Sequence, residues 1–252
     1  MGKDYYSMIT TILESKLESE RWGPDYWSPQ YLKIIQQIEK YKYGFVHLGD
    51  LITYITYGQV GQRKLSSKGE VIYLQVRNVG YCGEIVFEKE QDKVKENSYN
   101  DPKRSRVTKG DILFINSGWP SLGRCIYVTR DFGKINVSQH IDVIRVKEFS
   151  PAVVVMFFST NIGRKIIERT QHGVSGMTNI SFDEVKSLII PRFPKPIQKS
   201  IQSYYIHMLD KFYKTMHRDQ KAYDLLKNRF ENLKIQVEDI ILGKRESINI
   251  YK

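Results

Sequence analysis

The sequence predicts a mixed α+β globule followed by a long C-terminal coiled-coil helix. Two observations carry this. Between Phe45 and Pro191, short β-branched and aromatic runs alternate with polar, glycine-bearing turns. From Ile197 to Leu242 there is neither Gly nor Pro, and apolar residues recur at alternating steps of four and three.

At the N-terminus, Tyr5, Met8, Ile9, Ile12, Leu13 and Leu17 have helical spacing, which predicts a first amphipathic helix over 3–20. The aromatic run from Trp22 to Pro29 breaks it, and its rings read as core plugs. Ser28 is placed to cap a second helix with Pro29 at its first position, running to about Tyr41. From Phe45 the period changes to that of strands. Thr53–Tyr57, Val71–Val76, Ile85–Phe87, Asp111–Ile115, Arg124–Thr129 and Ile141–Val146 read as strands, with Leu188–Pro191 the last. The charged stretch Glu88–Lys109 reads as an exposed connection. Pro151–Thr170 reads as one helix that tolerates Gly163. The segment from Gln171 to Asn179 reads as a glycine-punctuated loop. Pro191, Pro194 and Pro196 stiffen the link to the final helix.

The seam of that final helix comprises Ile197, Ile201, Tyr205, Met208 and Phe212, then Ala222, Leu226, Phe230, Leu233, Val237 and Ile241, with Thr215 and Asp219 as a polar middle. An unbroken helix over this span would be roughly 70 Å long. Its seam needs cover, either from its own domain or from a partner strand in a coiled coil. The spacing favours a dimerisation seam. The expected division is a globule over 1–195 (N-terminal helices over 1–43), a helical spacer over 196–243 and a tail over 244–252.

The chain carries 39 Lys and Arg against 28 Asp and Glu, and 28 of the basic residues with 21 of the acidic ones lie before Pro196. The positive excess therefore sits mainly on the globule, which suggests a polyanionic partner such as nucleic acid. Two cysteines, Cys82 and Cys125, with no Cys/His cluster argue against a disulfide framework or a zinc site and fit the cytoplasm. No apolar run reaches membrane-spanning length.

Catalytic motifs are weak. There is no GxxxxGK[ST] phosphate loop and no GxSxG elbow. Asn116-Ser117-Gly118-Trp119 only echoes a methyltransferase tetrad, and Glu184-Val185-Lys186 with the distant Asp142 is a poor nuclease pattern. His140 and His172 lack a nucleophile and carboxylate at useful spacing. Binding residues are more plentiful. Gln62, Arg63, Lys64, Arg77, Asn78, Lys103, Arg104, Arg106, Trp119, Arg124, Gln139, His140, His172, Thr178 and Asn179 all fall in predicted loops or strand ends. Arg and Lys can pair with guanine, Asn and Gln with adenine, and any of them with phosphate. The cluster from Lys103 to Lys109 reads as a phosphate contact rather than a base reader.

The order and spacing of several short motifs resemble the specificity subunits of type I restriction–modification systems. They are Leu74-Gln75-Val76-Arg77-Asn78-Val79, Lys109-Gly110-Asp111-Ile112-Leu113-Phe114, Gly123-Arg124 and Asn136-Val137-Ser138-Gln139-His140. Gly173-Val174-Ser175-Gly176 with Ile180, Leu188-Ile189-Ile190-Pro191 and Pro196-Ile197-Gln198 complete the set, over about 44–242. The resemblance implies a target-recognition domain for double-stranded DNA followed by one helical spacer, with no catalysis and no cofactor of its own. It also implies methyltransferase subunits as partners, motor-nuclease subunits through them, and a split DNA target read by paired domains. The family's usual subunit has two such units and this sequence has one. That fits a half-length subunit that homodimerises, one half of a split pair, or the specificity segment of a fused restriction–methylation enzyme. A basic adaptor that binds no DNA is the remaining alternative.

Overall fold

The structure is a computed structural model, which describes residues 24–59, 68–172, 178–215 and 219–249. The helix expected over 3–20, and Gln62, Arg63 and Lys64, lie outside the described residues. Among those described, no helix is long and apolar enough to cross a membrane.

Helix α1 (Pro29–Glu39) begins at Ser28 and Pro29 as predicted, although the Ser28 side chain makes no capping bond. Trp27 is buried edge-on to Tyr26, and the Arg169 guanidinium lies 3.4 Å from the Tyr26 ring centre. Trp27 is thus a core plug, whereas Tyr26 is half-buried. Strand β1 (Phe45–His47) pairs with the last strand, β9 (Ile189–Pro191), and so ties the two ends of the globule together. Between them lie α2 (Leu48–Leu51), β2 (Ile52–Tyr57), β3 (Val71–Leu74), β4 (Lys93–Val94), β5 (Ile112–Ile115), β6 (Cys125–Tyr127), β7 (Ile135–Val137) and β8 (Ile141–Val146).

An antiparallel sheet in the order β2-β8-β5-β6 forms the middle layer. Successive strand residues point to opposite faces. Ile112, Phe114, Cys125, Tyr127 and Ile144 therefore join the helical core, whereas Leu113, Ile115, Ile126, Ile141 and Val143 face a second core. That second core is closed by a smaller sheet, β4-β3-β7, in which β3 runs parallel to β7. Gly58 lets the end of β2 press against β7, since a Cβ there would fall inside the Val137 carbonyl.

Several expectations are corrected. Ile85–Phe87 is not a strand; Ile85 makes only an isolated bridge to Val79. The stretch from Glu88 to Lys109 is exposed only in part: Asp101, Ser105 and Val107 are buried, and Asn136 donates to Asp101 Oδ1 at 2.8 Å. The expected helix over 151–170 is two helices, α3 (Pro151–Ser159) and α4 (Asn161–Thr170). Thr160 ends the first and caps the second, its hydroxyl accepting from the Gly163 N–H at 3.0 Å. Gly163 is required there rather than tolerated, because a Cβ would strike the Phe157 carbonyl. Helix α5 (Phe182–Ser187), which the sequence reading did not anticipate, is opened by a capping box between Ser181 and Glu184.

The C-terminal region is helical, but the single 70 Å helix does not form. It is two helices, α6 (Lys195–Lys214) and α7 (Gln220–Ile241). Asp219 caps the second, its carboxylate accepting from the Lys221 N–H at 3.0 Å. An Asp that looks like a costly polar seam position is thus a helix start. Helix α7 packs on α6, and both pack on α3, whose residues from Ala152 to Phe158 are all buried. A helix apolar all round must be covered on every side, and this pair supplies much of the cover. Ile201, Tyr205, Met208, Leu226, Phe230, Leu233 and Val237 are buried within this one chain; Phe212 and Ala222 are partly buried. A buried seam has no face left for a second chain, so these residues are core rather than a dimerisation stripe. The tail also docks, with Ile248 buried and the Asn249 N–H donating to Gln236 Oε1 at 2.7 Å.

Candidate nucleic-acid interface

One end of the two sheets carries a groove assembled from four connections. Strand β5 runs out into Asn116 and Ser117, and β7 runs out into Ser138, Gln139 and His140 before β8 begins. After β3 comes a 3-10 turn over Val76–Asn78. The fourth piece is the closed base of the glycine loop, where His172 and Asn179 exchange backbone bonds of 3.2 and 2.9 Å. Backbone bonds stitch these pieces together. The Asn116 N–H donates to the His140 carbonyl at 3.1 Å, the Gly118 N–H to Thr178 at 2.8 Å, and the Ile180 N–H to Asn116 at 3.0 Å.

The groove consists of three adjoining hollows that all include His140. The largest, about 730 Å³, is lined by Gln75, Arg77, Tyr81, Arg124 and Gln139. Trp119, Thr178 and Asn179 line the second, and Tyr57, His172 and Asn179 the third. Eight residues scattered over a hundred positions of sequence thus meet on one surface: Arg77, Trp119, Arg124, Gln139, His140, His172, Thr178 and Asn179.

Their states differ. Tyr81 and Trp119 are 68% and 50% exposed. Arg124 stacks on Tyr81 with 4.0 Å to the ring centre, and its Nη2 donates to the Val76 carbonyl at 3.1 Å. Its Nε and Nη1 are buried with no hydrogen-bond partner. His140 Nδ1 and Ser117 Oγ are 2.6 Å apart. His172 faces Glu184 at 3.2 Å. Arg77 is held by two carboxylates, Glu88 at 2.8 Å and Asp92, and its Nη1 donates to Gln75 Oε1.

Beneath the groove floor lies Asp142, fully buried. Asn116 Nδ2 donates to its Oδ1 at 2.7 Å, and its Oδ2 has no partner. Burial pushes this carboxyl up to about 7, against the smaller opposing effect of the Asn116 bond.

Four predicted contact residues are not in the groove. Asn78 is fully buried and serves the fold: its Oδ1 accepts from the Gln75 N–H, and its Nδ2 donates to Val86 and Gln91. Arg106 is paired with the buried Asp101 and with Glu96. Arg104 lies over the Tyr57 ring and donates to Thr56, Tyr57 and Gln59, bracing the end of β2. Lys103 is exposed on the connection between β4 and β5. Sequence reasoning passed over Tyr81, although an aromatic in Gly80-Tyr81-Cys82-Gly83 is a signal for a presented ring.

The residues of the weak catalytic patterns have structural partners, Asp142 with Asn116 and Glu184 with Ser181. Among the described residues no group of three or more His, Cys, Asp or Glu is placed to hold a metal ion. Cys82 and Cys125 are free and buried, and burial pushes their thiols up to about 11 and about 12.

No family model and no curated protein matches the chain. Among solved structures it is similar to the S subunit of a type I restriction–modification system from M. genitalium, with 16% identity and a TM-score of 0.42 over 69% of this chain and 40% of that one. It is similar also to the HsdS subunit from Thermoanaerobacter tengcongensis, with 16% identity and a TM-score of 0.44 over 79% of this chain and 46% of that one. A chain from a study of complex assembly and conformational transition in the type I system gives 13%, 0.47, 80% and 46% in the same order. This chain spans less than half the length of each.

Proposed function

We propose that this chain is a DNA-recognition element of a type I restriction–modification system, reading one half-site of a split target through the groove and performing no catalysis itself. The observation that carries the reading is the convergence of Arg124, Gln139, His140 and Asn179 on one open surface flanked by Trp119 and Tyr81. These side chains present hydrogen-bonding groups suited to base edges and phosphates, and the aromatics offer apolar contact. A positive globule supplies the long-range attraction.

In this reading methyltransferase subunits bind the chain and carry the chemistry, and motor-nuclease subunits join through them. A second copy, or a second half-subunit, supplies the other half-site. Because the apolar seam of α6 and α7 is internal, such pairing would use their outer surfaces. The same internal seam removes the feature that favoured a coiled-coil adaptor.

The test is selection from a pool of random duplexes with the purified chain, followed by sedimentation alone and with its methyltransferase partner. Enrichment of a short defined sequence is the expected result. Binding that falls with salt equally on all sequences would overturn sequence reading.

A further inference from the structure

The groove does not end at Arg124. On the far side of the Tyr81–Arg124 stack lies a second cleft of about 540 Å³, where the turn before β6, α4 and α7 meet. Its charged lining is Arg124, Arg164, Lys227, Lys234 and Glu231. Arg164 is pinned by Nη1 to the Leu122 carbonyl at 2.7 Å. Burial lowers its pKa, Glu168 opposes that, and Arg124 adds a lesser lowering, so the two guanidiniums feel each other. Glu231, the one carboxylate of the lining, pairs with Lys234 at 2.8 Å. Glu84, buried next to Arg124, accepts from the Cys82 N–H at 2.9 Å, and desolvation raises its pKa.

Within the lining four cations face one carboxylate that already pairs with Lys234, and the nearest further carboxylates are Glu84 beside Arg124 and Glu168 beside Arg164, so the cleft keeps a positive excess that an anion would complete. Arg124 makes the case stronger, because its Nε and Nη1 are donors without acceptors in a half-buried site. Buried donors left unpaired are costly, and a guanidinium fork matches phosphate oxygens. We propose that this cleft holds a backbone phosphate of the DNA flanking the bases in the groove. Continuity through Arg124 favours a phosphodiester over a free anion, since the cleft adjoins the groove and a strand leaving by that end would pass over it. The inference rests on the DNA-reading function proposed above.

The test uses the full chain and a random-sequence duplex of about 30 base pairs, with affinity followed across a salt series. Lys227→Gln together with Lys234→Gln should make the slope of log affinity against log salt shallower by about one to two. The sequence enriched from a random pool should stay the same. Glu231→Gln should act oppositely and tighten binding, which guards against a trivial folding defect in the lysine variant. An unchanged slope in the lysine variant, with the wild type binding, overturns the cleft and leaves the groove reading intact. No duplex binding by the wild type overturns both. Inorganic phosphate that protects the wild type against heat but not the lysine variant, with duplex affinity equal in the two, assigns the cleft to free phosphate and overturns the backbone assignment.

Discussion

The Arg124 guanidinium lies 4.0 Å from the centre of the Tyr81 ring, and this pair stands where the groove and the cationic cleft meet. Arg124→Ala removes the cation from both. On a selected target the expected loss is about 1–3 kcal/mol if Arg124 reads a base. Tyr81→Ala removes the platform but leaves the charge, and should cost about 0.5–1 kcal/mol. Fluorescence anisotropy on selected and scrambled duplexes checks both. An equal loss on the two duplexes would make Arg124 a phosphate contact only.

Arg77 is in the same hollow but in a different state. Glu88 and Asp92 hold it, and the four side chains of Arg77, Glu88, Asp92 and Gln75 already satisfy one another. Arg77→Ala should therefore weaken selected-target binding by less than Arg124→Ala, by under about 1 kcal/mol, as befits a half-exposed ion pair. A loss equal to that of Arg124→Ala would mean that Arg77 leaves its carboxylates to meet DNA.

The contrast between these arginines shows what a linear pattern can and cannot reveal. Strand β5 was legible because four apolar residues stand between Gly110-Asp111 and Asn116. The grouping of Arg124, Gln139, His140 and Asn179 was legible by type and by their place at strand ends. What was not legible is which polar residues the fold consumes. Asn78 looks like a base reader but closes its own turn, and Asp101 and Ser105, in a stretch that hydropathy marks as solvent, form a buried network with Asn136 on β7. Periodicity showed a stripe on the C-terminal helices but not what covers it. Arg164, Lys227 and Lys234 look like a solvated helix face, and only the packing of α7 on α3, which brings it near Arg164 of α4, gathers them.

Asp142 should make stability depend on pH. Its carboxyl stands at about 7 in the folded protein, raised by burial from an ordinary 3.8. Between those values the folded chain holds a proton that the unfolded chain does not. The penalty for ionising this group is therefore absent below about pH 4, grows as pH rises, and is complete above about pH 7, on the order of 4 kcal/mol. Asp142→Asn keeps an acceptor for Asn116 and removes the titration. Its stability relative to wild type should rise between about pH 4 and about pH 7 in urea unfolding. A difference that stays flat would show that Asp142 ionises as an ordinary carboxylate.

The last prediction separates one core from two parts. Were 196–252 a detachable spacer, a chain ending at residue 195 would fold alone. Instead Tyr205, fully buried on α6, donates its hydroxyl to the Gly83 carbonyl at 2.8 Å and accepts from the Tyr127 N–H at 3.2 Å. Tyr213 accepts from the Ile85 N–H at 2.8 Å. Removing these helices uncovers α3 and strands these backbone groups, each unsatisfied group costing about 1–3 kcal/mol. The truncated chain should lose its cooperative unfolding transition and near-ultraviolet dichroism and should bind hydrophobic dye. Within the full chain, Phe230→Ala should cost about 3–5 kcal/mol and leave the sedimenting species unchanged, because Phe230 faces its own core. A truncated chain with a sharp unfolding transition, or a Phe230 variant that changes oligomeric state at unchanged stability, would restore the helices to the role of an independent spacer.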